Sequence, residues 1–193
     1  MSKEIEKLKI LAAFDMETTG LDPAIHDIIE IAIVPLNEDF TRSDIPGFTA
    51  RIKAVHMENA DPESLKISGL NPNDGEEIGK VQADIVQWMT DNNIALMHPV
   101  AHNLMFDLYF FKAKFPALAK IFSGHGRDSM RLAIAINDIS LAQAKEKMFP
   151  SVSLKKLKAQ FGMEAEVSHR AVDDAMDSAA IYRHLMEKLI INK

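Results

Sequence analysis

LKILAAFDMETTGLDPAIHDIIEIAIVPLN, residues 8–37, is the stretch on which the fold turns. Its first apolar run reads as a buried strand that stops at Asp15, and its second carries Ile28, Ile29, Ile31, Ile33 and Val34 before Pro35 closes it. Between them, TTGLDPAIH holds Gly and Pro, so a turn joins two strands expected to pair antiparallel. Asp15 and Glu17 stand two positions apart at the end of the first run. Alternate side chains of a strand share a face, so these two carboxylates repel unless positive charge lies between them. A metal ion is the economical source of that charge.

Working outward, GFTARIKAV alternates Phe48, Ala50 and Ile52 against polar neighbours, which suggests a third strand. After the breaker-rich SGLNPNDGEE, apolar residues Ile78, Val81, Ile85, Trp88 and Met89 recur at helical spacing. IALMHPVAH then reads as a short strand, and NLMFDLYFFKAKF as a helix opened by Asn103 and stopped with the help of Pro116. DSMRLAIAI and SLKKLKAQFG are further helical segments, the second ended by Gly162. The longest helix is expected in HRAVDDAMDSAAIYRHLMEKLI, capped by Ser168, with Ala171, Ala175, Ala179, Leu185 and Leu189 along one stripe. Strands first, then alternating strand and helix, indicate an α/β protein with a mixed sheet flanked by helices.

Composition bounds the function. The 193 residues are 47% hydrophobic and 26% charged, the balance of one compact globular domain spanning 1–193. A chain of this size buries roughly 70% of its unfolded surface, so it needs no covalent staples. The absence of cysteine removes disulfides, thiolate metal sites and thiol nucleophiles together. The charged opening MSKEIEKLKI lacks a signal-peptide core, and no segment has the apolar length of a membrane helix, so a cytoplasmic location is expected. A net charge of -6 argues against a general basic coat for nucleic acid. Carboxylates gathered around divalent cations lower the formal charge while the loaded site attracts phosphate.

Three places combine acids with special surroundings: Asp15 and Glu17; Asp107, set among Leu104, Met105, Phe106, Leu108, Phe110 and Phe111; and Asp173, Asp174 and Asp177 on the last helix. A lone acid in such apolar company is normally paired or bound. Mg²⁺ takes oxygen ligands and needs only one or two carboxylates per ion beside substrate phosphate. Asp15, Glu17, Asp107 and Asp174 supply enough for two ions, which can bracket a scissile phosphate. His169, just ahead of Asp174, offers an imidazole that can take a proton from the attacking water. His102, beside Asn103, reads as a positioning residue. His26, His56, His98, His125 and His184 have no acid motif around them and read as ordinary surface or core histidines.

FDMETTGL, HNLMFDLYFF and HRAVDDA together resemble the three motifs of the DEDDh exonucleases, a family that includes proofreading subunits of bacterial replicative polymerases, ribonuclease T and oligoribonuclease. The motifs occur in the family's order from Phe14 to Ala175. The resemblance implies an RNase H-like fold with a five-stranded mixed sheet and the carboxylates at its edge. It implies that Asp15, Glu17, Asp107 and Asp174 bind two Mg²⁺ or Mn²⁺ ions, with His169 as general base. Asp174 is chosen over Asp173 because the family's histidine precedes the last acid by five positions. A related branch uses tyrosine four positions ahead, where this chain has Arg170.

The same resemblance implies substrate contacts from Thr18, Thr19, Gly20 and Leu21, the last as a wedge against terminal bases, and from Asn103 and Phe110 in the second motif. Phe106 is assigned to the core, whereas Phe110 is left between core and base stacking. Leu104 departs from the small residue often found after HN in the family, and Asp128 in DSMRLA is read as structural. The expected activity is metal-dependent 3′-to-5′ hydrolysis at the 3′ end of single-stranded DNA or RNA, releasing nucleoside 5′-monophosphates. Possible partners are a polymerase or a second copy of the chain. The rival readings are a nucleic-acid-binding or polymerase-associated subunit with incidental nuclease activity, and an endonuclease on the same fold.

Overall fold

The computed structural model describes residues 7–164 and 169–191. Its sheet has five strands: β1 (Leu8–Thr18), β2 (Ile28–Leu36), β3 (Phe48–Arg51), β4 (Ile94–Ala101) and β5 (Arg127–Asp128), in the spatial order β3-β2-β1-β4-β5. β1 pairs antiparallel with β2 and parallel with β4, β2 pairs antiparallel with β3, and β4 pairs parallel with β5. The mixed sheet matches the RNase H-like architecture expected above. Among the described residues, no helix is long and apolar enough to cross a membrane.

All of β2 is buried, which explains why its sequence, apart from Glu30, is an apolar run rather than an alternation. β1 does alternate. Ala12, Phe14 and Met16 face one core, where Phe14 meets Phe111 and Phe122 with ring centroids 5.8 and 4.5 Å away. Ala13 faces the other core, with Val34, Leu36, Val100, Ala175 and Ala179. By strand periodicity, Asp15 and Glu17 lie on Ala13's face.

Among the described residues, six α-helices accompany the sheet: α1 (Pro62–Ser68), α2 (Ile78–Asp91), α3 (Leu104–Lys114), α4 (Ser129–Ala142), α5 (Leu154–Gln160) and α6 (Ala171–Ile191). Buried Ala171, Ala175 and Ala179 let α6 approach the sheet closely, while Ile181 and Leu185 pack with Ala133, Ile136, Phe149 and Leu157 in a third cluster. The short α1 was not anticipated from apolar periodicity. Its signals are local: Asp61 accepts from Glu63 N at 3.0 Å, Pro62 opens the helix, and Gly69 closes it at φ 63°.

Two expectations about strand ends need correction. β1 does not stop at Asp15 but runs to Thr18, because pairing with β2 continues through Asp15 opposite Ala32 and Glu17 opposite Glu30. Similarly, Pro35 does not close β2, which runs to Leu36 while Pro35 stands opposite Ala12. Asn103 opens α3 by its backbone, at φ 63°, without a side-chain cap. Asp128 supplies the acceptors instead, taking Asn103 N and Leu104 N at 3.1 Å each, and also Met130 N at 3.0 Å and Arg131 N at 3.2 Å. One carboxylate thus caps α3 and α4 together, which makes Asp128 a structural residue. Ser168, the expected cap of α6, lies outside the described residues.

Candidate active site

β1 emerges from beneath α6 at its C-terminal end, so Asp15 and Glu17 meet the first turn of that helix. There Asp174 is buried and Asp173 exposed, the discrimination expected from spacing. His169, just before the helix, has φ 49°, a conformation uncommon for residues with a Cβ. Candidate ligand atoms of Glu17, His169 and Asp174 all lie within 4.8 Å of one another. Asp107 comes from the first turn of α3 and is buried. β4 pairs with β1 only as far as Ala13, and beyond that point Met16 N donates to the Asp107 carboxylate, as does Asp107's own N–H.

The four expected acids therefore form one electrostatic unit. Burial holds the Asp15 carboxyl well above its ordinary range, and Asp107, Glu17, Asp174 and Glu30 push it further. Burial also raises Glu17 from 4.5 to about 7, with Asp174 and Glu30 adding and Arg170 opposing. Asp174 rises from 3.8 to about 6 through burial and Asp177, with Lys158 opposing and Asp173 and Glu30 adding. Asp107 is raised mainly by burial, against the two backbone donors, with Glu17 and Asp128 adding. Crowded carboxylates with this much shared repulsion are suited to a positive ligand.

Two nearby cations are shared between the site and other acids. Arg170 pairs with Glu30, and Lys158 pairs with Asp177. Asp174 Oδ1 is buried without a hydrogen-bond partner, a costly state for a carboxylate oxygen. That orphaned acceptor, the carboxylate donors and the adjacent imidazole fit divalent cations that prefer oxygen ligands. His169 stands beside Glu17 and Asp174, near enough to reach a ligand or water held between them.

The remaining expected site residues divide sharply. Thr18 donates its hydroxyl to Gly20 O at 2.7 Å, and the Thr19 hydroxyl accepts from Asp27 N at 2.8 Å. Thr19 is wholly buried, so its side chain secures the turn. A Cβ at Gly20 would lie 2.3 Å from the His26 ring, so this position requires glycine for close approach. Leu21, by contrast, is 75% exposed and available to a ligand. Asn103 is exposed at the start of α3. Phe110 has no accessible surface and lies 5.0 Å from Phe106 between ring centroids, so in this conformation it is a core residue that cannot stack on a base. Phe106 is the partly exposed member of that pair. His102 Nδ1 lies 2.9 Å from Ser129 Oγ, and burial lowers its pKa, in keeping with a positioning role.

Glu30 and Arg170 were not anticipated as site residues. Glu30 is buried and stands directly opposite Glu17 in the β1–β2 pair. Its signal was present in the sequence as a single acid interrupting IIEIAIV, where an unpaired carboxylate would be costly.

A family model described as "Exonuclease" (RNase_T) matches residues 12–182. Among curated proteins, the PolC-type DNA polymerase III of Staphylococcus haemolyticus is 25% identical over 181 residues, covering 91% of this chain and 11% of the polymerase. The same enzyme of Staphylococcus aureus strain RF122 gives the same figures. This chain thus spans 11% of the length of those relatives. Among solved structures, E. coli exonuclease I in complex with a dT13 oligonucleotide superposes with a TM-score of 0.71 at 17% identity, covering 96% of this chain and 43% of that one. Cell-death related nuclease 4 (CRN-4) gives a TM-score of 0.69 at 13% identity, covering 92% of this chain and 64% of that one. These two likenesses establish a shared fold.

Proposed function

This chain belongs to the exonuclease family, and we propose that it is a metal-dependent 3′-to-5′ exonuclease releasing nucleoside 5′-monophosphates from single-stranded DNA or RNA. The observation that carries this reading is that Glu17, His169 and Asp174 offer ligand atoms within 4.8 Å of one another, with the Asp15 and Asp107 carboxyls crowded against the same acids. We read 1–193 as a single exonuclease domain, in line with the family match over 12–182. Single-stranded substrate is supported by likeness to an exonuclease I solved with an oligonucleotide. A cytoplasmic location suits such a substrate.

The four carboxylates would hold two Mg²⁺ or Mn²⁺ ions. When bound, those ions would neutralise the acids and stabilise charge developing on the scissile phosphate. The chain's own residues do the rest. Leu21 offers an apolar surface to the terminal base, and Asn103 lies at the mouth of α3 to contact the strand. His169 takes a proton at an imidazole nitrogen from the attacking water. The water oxygen bonds to phosphorus as the bond to the upstream 3′ oxygen breaks, leaving a 5′-monophosphate and a shortened 3′ end.

The test is a time course on 5′-labelled single-stranded DNA and RNA with Mg²⁺, Mn²⁺ or EDTA, using Asp15→Asn as control. A ladder shortening by single nucleotides, lost with EDTA and in the variant, is expected. Internal cuts from the first time point would instead support the endonuclease. A second reading, a polymerase-associated subunit, is favoured by similarity to proteins named PolC-type DNA polymerase III. Tight strand binding with no metal-dependent cleavage would select it.

A further inference from the structure

Both oxygens of Glu30 are committed to partners at the start of α6. Arg170 Nη2 and Nε donate to its Oε1 at 2.8 and 3.1 Å, and Nε also lies 3.3 Å from Oε2. Oε2 accepts from Ala171 N at 2.9 Å. One buried carboxylate on β2 thereby grips both the side chain before α6 and the first backbone N–H of that helix. The Arg170 carbonyl in turn accepts from Asp173 N at 3.0 Å and Asp174 N at 3.1 Å, starting the helical turn that carries the buried Asp174.

We propose that Glu30 and Arg170 form a latch that sets His169 in position against Glu17 and Asp174, the ion pair acting as a positioning element for the reaction. The inference rests on the reading of His169 as the proton acceptor. Its physical basis is threefold. His169 holds a left-handed backbone conformation, which persists only where neighbouring structure enforces it. A carboxylate meeting an arginine through two nitrogens fixes orientation as well as distance. Finally, Glu30 faces Glu17 across the β1–β2 pair, so the latch references the histidine segment to the strand that carries the metal-site acid. The side chain of Arg170 is 52% exposed, so solvent screens its charge, and Ala171 N still donates to the buried Glu30 carboxylate when the guanidinium is removed.

Three single variants, Glu30→Gln, Arg170→Gln and Arg170→Lys, and the double variant Glu30→Gln with Arg170→Gln test the latch. Displacing a reacting group by an ångström can cost about 100-fold, so Glu30→Gln and Arg170→Gln should each lower kcat about 10- to 100-fold. KM should stay within about twofold, since neither residue is placed against the strand. Arg170→Lys keeps the charge but not the fork and should fall between Arg170→Gln and the parent. The double variant should be no slower than the slower single one, as expected of two groups acting as a unit.

A second readout needs no turnover. The imidazole carbon-bound proton resonance of His169, assigned by its loss in His169→Ala, should shift or broaden in Glu30→Gln and Arg170→Gln under EDTA. Unchanged kcat together with an unchanged resonance in folded Arg170→Gln would overturn the latch, and its half-exposed side chain makes misfolding of that variant a minor concern. If His169→Ala itself keeps parental kcat, the base reading fails, while the resonance still decides whether the latch places the ring.

Discussion

Replacing Glu17 with Gln should make the metal-free protein more stable while abolishing its activity. Glu17 shares a buried site with other acids, and its pKa rises from 4.5 to about 7. At about 1.36 kcal/mol for each tenfold change in proton affinity, that rise corresponds to roughly 3 kcal/mol. The sign follows from proton binding: the folded state holds a proton between about 4.5 and 7 that the unfolded state has released. The stabilisation is therefore fully present below about 4.5 and is lost as pH rises through about 7. Asp174 acts in the same direction between 3.8 and about 6.

Glutamine removes the charge but keeps much of the cost of burying a polar group, so about half of the 3 kcal/mol should be recovered at pH 8. For a domain of this size that is a rise in Tm of roughly 3–6 °C. Thermal unfolding in EDTA at pH 5 and pH 8 supplies the comparison, with the gain concentrated at pH 8. Mg²⁺ should then stabilise the parent, by about 2.7 kcal/mol at a hundred times Kd, and the variant much less. A variant no more stable than the parent in EDTA at pH 8 would refute the picture of mutually repelling buried acids.

Asp128→Ala removes acceptors from the starts of both α3 and α4 and should cost about 2–4 kcal/mol, read as a lower urea midpoint. Asp128→Asn should recover part of that loss. Phe110→Ala should cost about 3–5 kcal/mol in chemical denaturation, the signature of a core aromatic. Leu21→Ala should leave stability within about 0.5 kcal/mol of the parent but raise KM for short oligonucleotides. The reverse pattern between Phe110 and Leu21 would return Phe110 to the substrate surface.

Much of the site was legible because its chemistry depends on residue types at set spacings. D-x-E on a strand places two acids on one face wherever that strand lies, and an acid within LMFDLYFF needs a compensating contact in any fold. The five-position interval from His169 to Asp174 distinguished Asp174 from Asp173, and burial agrees. Where sequence reading failed, the deciding contacts were distant along the chain. Asp15 looked like a strand terminus because its side chain is polar, yet strand length is set by the backbone ladder to β2. Phe110 could equally have faced a base or the core, since the apolar residues around α3 leave its buried face unspecified.

The strand and helix periods and the turn chemistry are local consequences of residue type and spacing, and the four acids with their histidine were candidates that the motifs and the family resemblance picked out. Only the tertiary structure decided that Glu30 reaches across 140 positions to grip Arg170, and that Asp128 caps two helices. It also decided that Asp174 Oδ1 is left without a partner among crowded carboxylates. The physical reason is that desolvation and Coulomb repulsion depend on distances in space, and those distances exist only once β1, α3 and α6 have packed together.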